Sequence, residues 1–291
     1  MEYQIYTDAS VDIPDEVILE NGVRIIPMQY SVDGKEHTMY ARLTDEEAKR
    51  FYQDMRDGKV TKTSQISPYF YEQAFRREAE EGRNVLYLSL SSGLSSTYSS
   101  SISAAQQLAE EFPGFHGEMV DSLNTTGGLG ILLMDAIQNK KNGMTLEENA
   151  AALRKKAERT ALWFMVDDLR YLVRGGRLSA AAGFAGTVLN LKPILKMTRE
   201  GTLAVVAKTH GSLKAENFLA DTFAGASDLS LGSNVIISYA DCPERAENIR
   251  KRILELKPAA HVFLTTMTPI ISAHTGPGMC AVAHFGDKEY L

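Results

Sequence analysis

Strand-like segments alternate with helix-like segments over residues 1–158, and this alternation limits the fold more than any other feature of the chain. The apolar run NVLYLSLS at 84–91 predicts a buried strand, and the segment at 96–111 predicts an amphipathic helix. An alternation of strands and helices favours a parallel sheet with helices on both faces. Residues 1–158 are therefore predicted to form a Rossmann-like α/β domain, with ligands at the carboxyl ends of its strands. Further strands are expected at 3–7, 23–32 and 118–122.

Three sequence signals predict helix starts in this half of the chain. The segments 44–47 (TDEE) and 145–148 (TLEE) both have the Thr-x-x-Glu pattern of a capping box. Ser67-Pro68 predicts a third start, because proline is favoured at the first helical position. These signals divide the N-terminal half into short helices that connect the predicted strands.

The pattern changes after residue 158, where hairpins join the alternation. Residues 193–209 predict a hairpin that turns at Glu200-Gly201, and residues 178–191 predict a helix of small side chains. The last two strands, at 261–268 and 279–286, are expected to be joined by a loop. Residues 159–291 are therefore predicted to form a C-terminal α+β domain, with the ligand in the cleft between the two domains.

Composition and charge exclude several classes of protein. The net charge of −6 disfavours nucleic acid as the main partner, because phosphate binding needs a cationic face. No apolar run approaches the roughly 18 residues of a membrane span, and no signal peptide is expected. Cys242 and Cys280 have neither metal-ligand spacing nor a disulfide framework. We expect a cytoplasmic protein without a metal or other cofactor, whose contact with membranes is at most transient.

Four loops carry the side chains best suited to bind a ligand, since each is rich in hydroxyl groups, glycine or proline. Ser95 or Ser96 is expected either to cap the helix that follows or to donate to an anion at its N-terminus. Arg174 and Arg177 either face an anion or only stabilise a helix C-terminus. The four loops are 7–10 (TDAS), 63–68 (TSQISP), 91–98 (SSGLSSTY) and 274–278 (HTGPG).

The motifs of several enzyme classes are incomplete in this sequence. A serine hydrolase needs G-x-S-x-G at its nucleophile elbow, and residues 93–97 (GLSST) lack the second glycine. Ser95, His274 and either Asp8 or Asp121 form a triad only on paper, because their spacing is unspecific. Phosphate-loop, dinucleotide-binding and metal-ligand patterns are missing. The residues alone predict a two-domain α/β protein with an anion-binding cleft, and they predict no more than that.

Seven motifs, in this order, resemble those of the DegV family of bacterial proteins and together span nearly the whole chain. The resemblance implies two α/β domains that enclose one long-chain fatty acid, such as palmitate. It also implies a protein that makes no bonds itself. In the family, the acid is presented to a separate ATP-dependent fatty acid kinase, and the acyl phosphate feeds phospholipid synthesis. The motifs are TDASVDIP (7–14), TSQISP (63–68), SLSSGLSSTYSS (89–100), VDS (120–122), LRYLVRGGRLS (169–179), LNLKPILKMTREG (189–201) and AHTGPG (273–278).

The same resemblance assigns roles to individual residues. It gives the carboxylate contacts to Thr63 and Ser95, and it places His274 and Arg177 at the head-group end. The small residues at 180–189 are expected either to line the acyl tail or simply to pack a helix tightly. Four neighbours in the same loops complete the expected ligand-binding set: Ser64, Ser96, Asp8 and Ser10.

Four positions depart from the family pattern: Ala9, Ile66, Ser96 and Cys280. Ala9 removes a hydroxyl near the expected head group, and Ser96 stands where glycine is usual, which is expected to narrow the pocket. Two other functions stay open at this point. One is a serine hydrolase that uses Ser95 and His274, and the other is a sensor whose cavity holds a different small molecule.

Overall fold

The computed structural model describes residues 2–40, 43–179 and 190–290. In these parts of the chain the strands are β1 Tyr3–Asp8, β2 Arg24–Ile26, β3 Met28–Val32, β4 Lys35–Met39, β5 Thr61–Ser64, β6 Asn84–Ser89, β7 Gly117–Asp121, β8 Thr160–Met165, β9 Leu191–Met197, β10 Leu203–His210, β11 Asn234–Tyr239, β12 His261–Thr266 and β13 Cys280–Phe285. The helices are α1 Asp15–Glu20, α2 Asp45–Arg56, α3 Pro68–Glu80, α4 Thr97–Glu111, α5 Thr126–Lys141, α6 Leu146–Ala157, α7 Arg170–Arg174, α8 Ser212–Ala226, α9 Pro243–Leu256 and α10 Pro269–Thr275.

The first sheet has the strand order β2-β1-β6-β7 and is parallel throughout. Strand β6 is buried at every position, as expected for a central strand of a sheet that carries helices. Helices α3 and α4 pack together, and α5 and α6 form a second packed pair. Both predicted capping boxes are present, at Thr44 and Thr145. The predicted α/β class with a parallel N-terminal sheet is therefore confirmed.

The second sheet is a small antiparallel one that the sequence did not indicate, with the order β4-β3-β5. The single strand predicted at 23–32 is in fact two strands, which separate at Pro27. Residues before Pro27 pair with β1, whereas residues after it pair with β4 and β5. Proline has no backbone N–H and cannot continue a ladder, which explains the break. Strands β4 and β5 were missed because their residues are mostly polar and exposed.

The third sheet has six strands in the order β10-β9-β8-β13-β11-β12, and only β11 and β12 run parallel. Strands β9 and β10 form the predicted hairpin around Gly201, closed by a hydrogen bond from Thr198 N to Thr202 O. This mixture of hairpins and helices confirms the predicted α+β character. The domain boundary near residue 158 stays a prediction, and the helix predicted at 178–191 falls mostly on residues 180–189, outside the described parts of the chain.

Helix α5 contacts strands of both large sheets and fixes their relative position. Its first turn contains the glycine-rich segment 127–130. An added side-chain carbon at Gly127 would lie 2.7 Å from Ile236 Cγ2, and one at Gly130 would lie 2.6 Å from Asp12 O. These glycines allow α5 to approach β11 and the loop after β1 closely. The glycine-rich segment therefore serves helix packing.

The loop predicted at 269–278 was wrong in its first part, because residues 269–275 form helix α10. Proline at the first helical position starts the helix, as Pro269 does here. Gly276, with φ of +79°, ends it, and its N–H donates to Ser272 O. This helix carries His274 in its last turn, so its imidazole is held by a regular element.

A buried carboxylate ties α3 to the edge of the parallel sheet. Glu78 is fully buried and accepts hydrogen bonds from Tyr6 Oη at 2.7 Å and from Arg83 Nε at 2.7 Å, and it also pairs with Arg24. Removing one member of a buried ion pair leaves charge without compensation. The free energy of unfolding therefore depends on the buried carboxylate of Glu78.

We predict that Glu78→Ala lowers the free energy of unfolding by about 3–5 kcal/mol, because both arginines lose their buried partner. Glu80→Ala, an exposed position on the same helix, should change it by less than about 0.5 kcal/mol. Urea denaturation followed by circular dichroism measures both. Equal effects at the two positions would contradict the role assigned to Glu78.

Candidate ligand-binding site

A cavity lies where the loops after the parallel strands, the three-stranded sheet, α10 and the six-stranded sheet meet. Its empty space is about 610 Å³, a figure that includes the open mouth of the cavity. Its apolar lining residues are Met28, Leu90, Leu94, Leu162, Phe164, Leu172, Leu203, Ile270, Ile271 and Met279. Its polar lining residues are Thr63, Ser64, Gln65, Ser95, Thr125, Arg177, His274 and Thr275.

Thr63 is placed by the alternation of side chains along β5. Residues two apart on a strand point to the same face, so Thr61 and Thr63 both face α10. Thr61 Oγ1 donates to Ala273 O at 2.9 Å, and Thr63 Oγ1 shares a hydrogen bond with His274 Nε2 at 2.7 Å. The three-stranded sheet is thus joined to α10 at the cavity wall.

His274 is mostly enclosed, and its second ring nitrogen points at backbone. Its Nδ1 has no hydrogen-bond partner, and a side-chain carbon at Gly175 would lie 2.2 Å from it. Glycine is therefore required at 175 for the imidazole to fit. Burial lowers the pKa of His274 to about 4, and the positive charges of Arg177 and Arg174 contribute to the shift. The ring is neutral at pH 7.

Ser95 lies in the loop between β6 and α4. Its Oγ accepts a hydrogen bond from Thr97 N at 3.3 Å and shares one with Thr97 Oγ1 at 2.9 Å. The N-cap of α4 is Ser96, whose side chain makes no capping hydrogen bond, so the expected N-cap role of Ser95 is not observed. The loop is fixed by Ser91, whose Oγ donates to Gly201 O at 2.7 Å. Ser95 also lines the cavity, so its bonds to Thr97 do not keep it from contacting a ligand.

Arg177 follows α7 and places a positive charge at the cavity. Its Nε donates to Leu94 O at 3.2 Å and its Nη1 to Gly175 O at 2.6 Å. Within the described residues, no carboxylate lies at salt-bridge distance from it. Burial lowers the pKa of Arg177, but a guanidinium stays protonated in proteins. The cavity wall therefore contains a cation whose charge no carboxylate in the described parts of the chain neutralises.

The remaining predicted site residues differ in position. Ser64 is exposed and lines the cavity, whereas Ser96 is exposed and does not line it. Asp8 and Ser10 are fully buried away from the cavity. Asp8 accepts hydrogen bonds from Ser10, from Tyr87 Oη at 2.8 Å and from Leu90 N at 2.8 Å, and burial raises its pKa. It joins the ends of β1 and β6, so its oxygens already have partners.

The serine-hydrolase arrangement is not assembled. The ring nitrogens of His274 face Thr63 and Gly175, and Ser95 Oγ bonds to Thr97. Asp121 accepts from Leu123 N at 2.9 Å and not from a histidine. No group of three His, Cys, Asp or Glu side chains in the described parts of the chain could hold a metal ion. The geometry fits binding of an anion with an apolar tail better than nucleophilic catalysis.

Part of the cavity wall consists of residues that were not predicted from the sequence. Thr125, Gln65 and Thr275 line the cavity beside the predicted residues, and the apolar lining comes from several separate elements. The position of Gln65 next to Thr63 was an available signal. The place of Thr125 depends on how α5 packs on the six-stranded sheet, which no local pattern encodes.

Comparisons with known proteins agree with this geometry. A family profile described as "Uncharacterised protein, DegV family" matches residues 2–287. A DegV domain-containing protein of Clostridium perfringens is 31% identical over 290 residues, which cover 99% of each chain. This protein belongs to the DegV family, as its motifs predicted.

Solved structures share the fold. One, described as the fatty acid binding of a DegV family protein from Thermus thermophilus, is 27% identical, has a TM-score of 0.85 and is matched over 98% of this chain and 100% of that one. The Fatty Acid Kinase (Fak) B3 protein of Streptococcus pneumoniae, loaded with linoleic acid, is 22% identical, with a TM-score of 0.83 and 99% and 100% of the two chains covered. In the described regions of this chain, no helix is long and apolar enough to cross a membrane.

We predict that Arg177→Gln raises the pKa of His274 from about 4 towards its ordinary value of 6.5, because one of the nearby positive charges is removed. Burial remains, so the shift should be partial. Titration of the His274 ring protons by NMR measures it. Arg199→Gln, at an exposed position outside the cavity, is the matched control and should leave the value unchanged. A constant His274 pKa in Arg177→Gln would contradict the proposed proximity of the two charges.

The lowered pKa of His274 in the parent protein also makes the stability of the fold depend on pH. The unfolded chain binds a proton at His274 near pH 6.5, whereas the folded protein does so only near pH 4. Stability should therefore fall as the pH drops from about 6.5 towards 4. His284, whose pKa burial also lowers to about 4, contributes in the same direction. Urea midpoints of the parent and of His274→Gln across this range separate the two contributions.

Proposed function

We propose that this protein binds one long-chain fatty acid without forming a bond to it. The observation that carries this proposal is the Arg177 guanidinium, which has no acidic partner in the described structure and lies in the wall of a largely apolar cavity. Arg177 is half-buried, and a partly desolvated cation without a counter-charge favours an anion beside it. An amphiphile with one carboxylate and an apolar tail satisfies both parts of the wall.

The carboxylate would be held by hydroxyl groups and by Arg177. Thr63 and Ser95 line the cavity and are the donors that the resemblance assigns to the head group. Hydrogen bonds to a charged group are worth about 1.5–3 kcal/mol each. Since His274 is neutral at pH 7, it adds polarity without a second full charge. Arg177 therefore gives the site its positive charge.

The acyl tail would supply most of the affinity. Burial of each CH₂ group gains about 0.8 kcal/mol, so a chain of about sixteen carbons gains roughly 10 kcal/mol before ordering costs. Leucine, isoleucine, methionine and phenylalanine side chains form the apolar wall that this requires. The description of the Thermus thermophilus relative, which names fatty acid binding, supports the same ligand class for this chain.

We predict that Thr63→Val and Ser95→Ala each weaken fatty-acid binding by about 1.5–3 kcal/mol, because each removes a donor to the carboxylate. Displacement of a fluorescent fatty acid by palmitate measures the affinity. Ser96→Ala is the matched control, since its exposed hydroxyl does not line the cavity and its loss should leave the affinity unchanged. Unchanged affinity in both Thr63→Val and Ser95→Ala would place the head group elsewhere.

We further propose that the bound acid is presented to a separate ATP-dependent fatty acid kinase. The family resemblance implies this partner, and the name of the pneumococcal protein of the same fold points to the same system. His274 lies at the head-group cluster and is held by Thr63, so it is positioned to influence transfer at the carboxylate.

His274→Ala should change fatty-acid affinity by less than about 1 kcal/mol, because a neutral imidazole contributes at most one ordinary hydrogen bond. It should reduce the rate of acyl-phosphate formation in a mixture with a fatty acid kinase and ATP. Comparison of binding and phosphorylation in the same variant tests this. A collapse of binding would make the histidine a primary ligand contact instead.

A further inference from the structure

The hydroxyl of Thr125 makes none of the hydrogen bonds that organise the residues expected to hold the ligand's carboxylate. Thr125 lines the cavity, and only 4% of the residue is exposed. Its Oγ1 has no hydrogen-bond partner. Buried hydroxyls are normally paired, because an unpaired one loses its hydrogen bonds to water. The described parts of the chain therefore provide no hydrogen-bond partner for this oxygen.

Two other threonines of the same chain show what Thr125 does not do. Thr44 and Thr145 precede α2 and α6, and each hydroxyl accepts a hydrogen bond from the backbone N–H three residues later. Thr125 holds the same N-cap position before α5 and has an extended backbone, with φ of −149° and ψ of 177°. Its side chain nevertheless makes no capping hydrogen bond. The hydroxyl is thus free for a group inside the cavity.

The helix that follows Thr125 packs against a strand with apolar lining residues. None of the hydrogen bonds that organise Thr63, His274 and Arg177 involves Thr125. Its helix, α5, packs against β8, which contributes Leu162 and Phe164 to the lining. A hydroxyl outside that set of hydrogen bonds and near apolar side chains would meet the tail of an amphiphile and not its carboxylate.

We infer that Thr125 is a subsite for a hydroxyl group carried on the acyl chain, so that the ligand class is a hydroxylated long-chain fatty acid. This inference rests on the proposed function. A threonine hydroxyl both donates and accepts, which suits another hydroxyl. An acyl chain without a hydroxyl group, by contrast, excludes water from Oγ1 and leaves it unpaired. The cavity therefore discriminates against the plain chain as well as favouring the hydroxylated one.

The test compares octadecanoic acid with a set of its positional monohydroxy isomers in a displacement assay. The parent protein should bind at least one isomer roughly 3- to 10-fold more tightly than octadecanoic acid, which is the range of a single neutral hydrogen bond. Thr125→Val, which keeps the shape of the side chain, should abolish this preference. It should also bind octadecanoic acid several-fold more tightly, because no unpaired hydroxyl remains.

Thr145→Val is the matched control, because it removes a threonine that does cap its helix and lies outside the cavity. It should lower Tm by about 2–4 °C and keep the ligand preference. Thr125→Val in the ligand-free protein should not lower Tm, since no capping bond is lost.

Three results would overturn the inference. An equal loss of affinity for every acid in Thr125→Val would make Thr125 a head-group contact. Unchanged relative affinities would show that solvent satisfies the hydroxyl. If the parent protein binds neither octadecanoic acid nor its isomers, the proposed function itself fails, which differs from binding without preference.

Discussion

The hydrogen bond between Thr63 Oγ1 and His274 Nε2 joins parts of the chain that are 211 residues apart, and the binding site depends on it. It brings the small antiparallel sheet against α10, while Thr61 and Ala273 make a second link beside it. Thr63 and His274 thereby become neighbours in one cavity wall. The contact with Thr63 fixes the imidazole at the cavity, whereas the link from Thr61 to a backbone carbonyl also joins β5 to α10 and does not need the His274 side chain.

The electrostatics of the wall follow from that arrangement. Enclosure of His274 next to Arg177 keeps the imidazole neutral at pH 7, so the site has one full positive charge and not two. Arg177 in turn is held by the carbonyl groups of Leu94 and Gly175, which orient it without neutralising it. Arg177 is half-buried and no described carboxylate pairs with it, so the carboxylate of a ligand would compensate its charge.

Local patterns predicted much of the fold and less of the site. Strand β6, the capping boxes at Thr44 and Thr145 and the hairpin at Gly201 were predictable, because each depends on residues close in sequence. The break at Pro27 and the helix α10 were missed, although Pro27 and Pro269 were visible signals. The buried roles of Asp8 and Ser10 could not be predicted, since Asp8 takes its partners Tyr87 and Leu90 from another strand. The same holds for Thr125, whose place depends on packing between sheets.

The proposed function requires the cavity to hold a fatty acid as a non-covalent ligand. Native mass spectrometry of the freshly purified protein, followed by denaturation and analysis of the released lipid, tests it most directly. We expect a mass excess that resolves into one equivalent of a long-chain fatty acid. A protein that carries no ligand, and still carries none after incubation with fatty acids, would contradict it and would favour a cavity built for another small molecule.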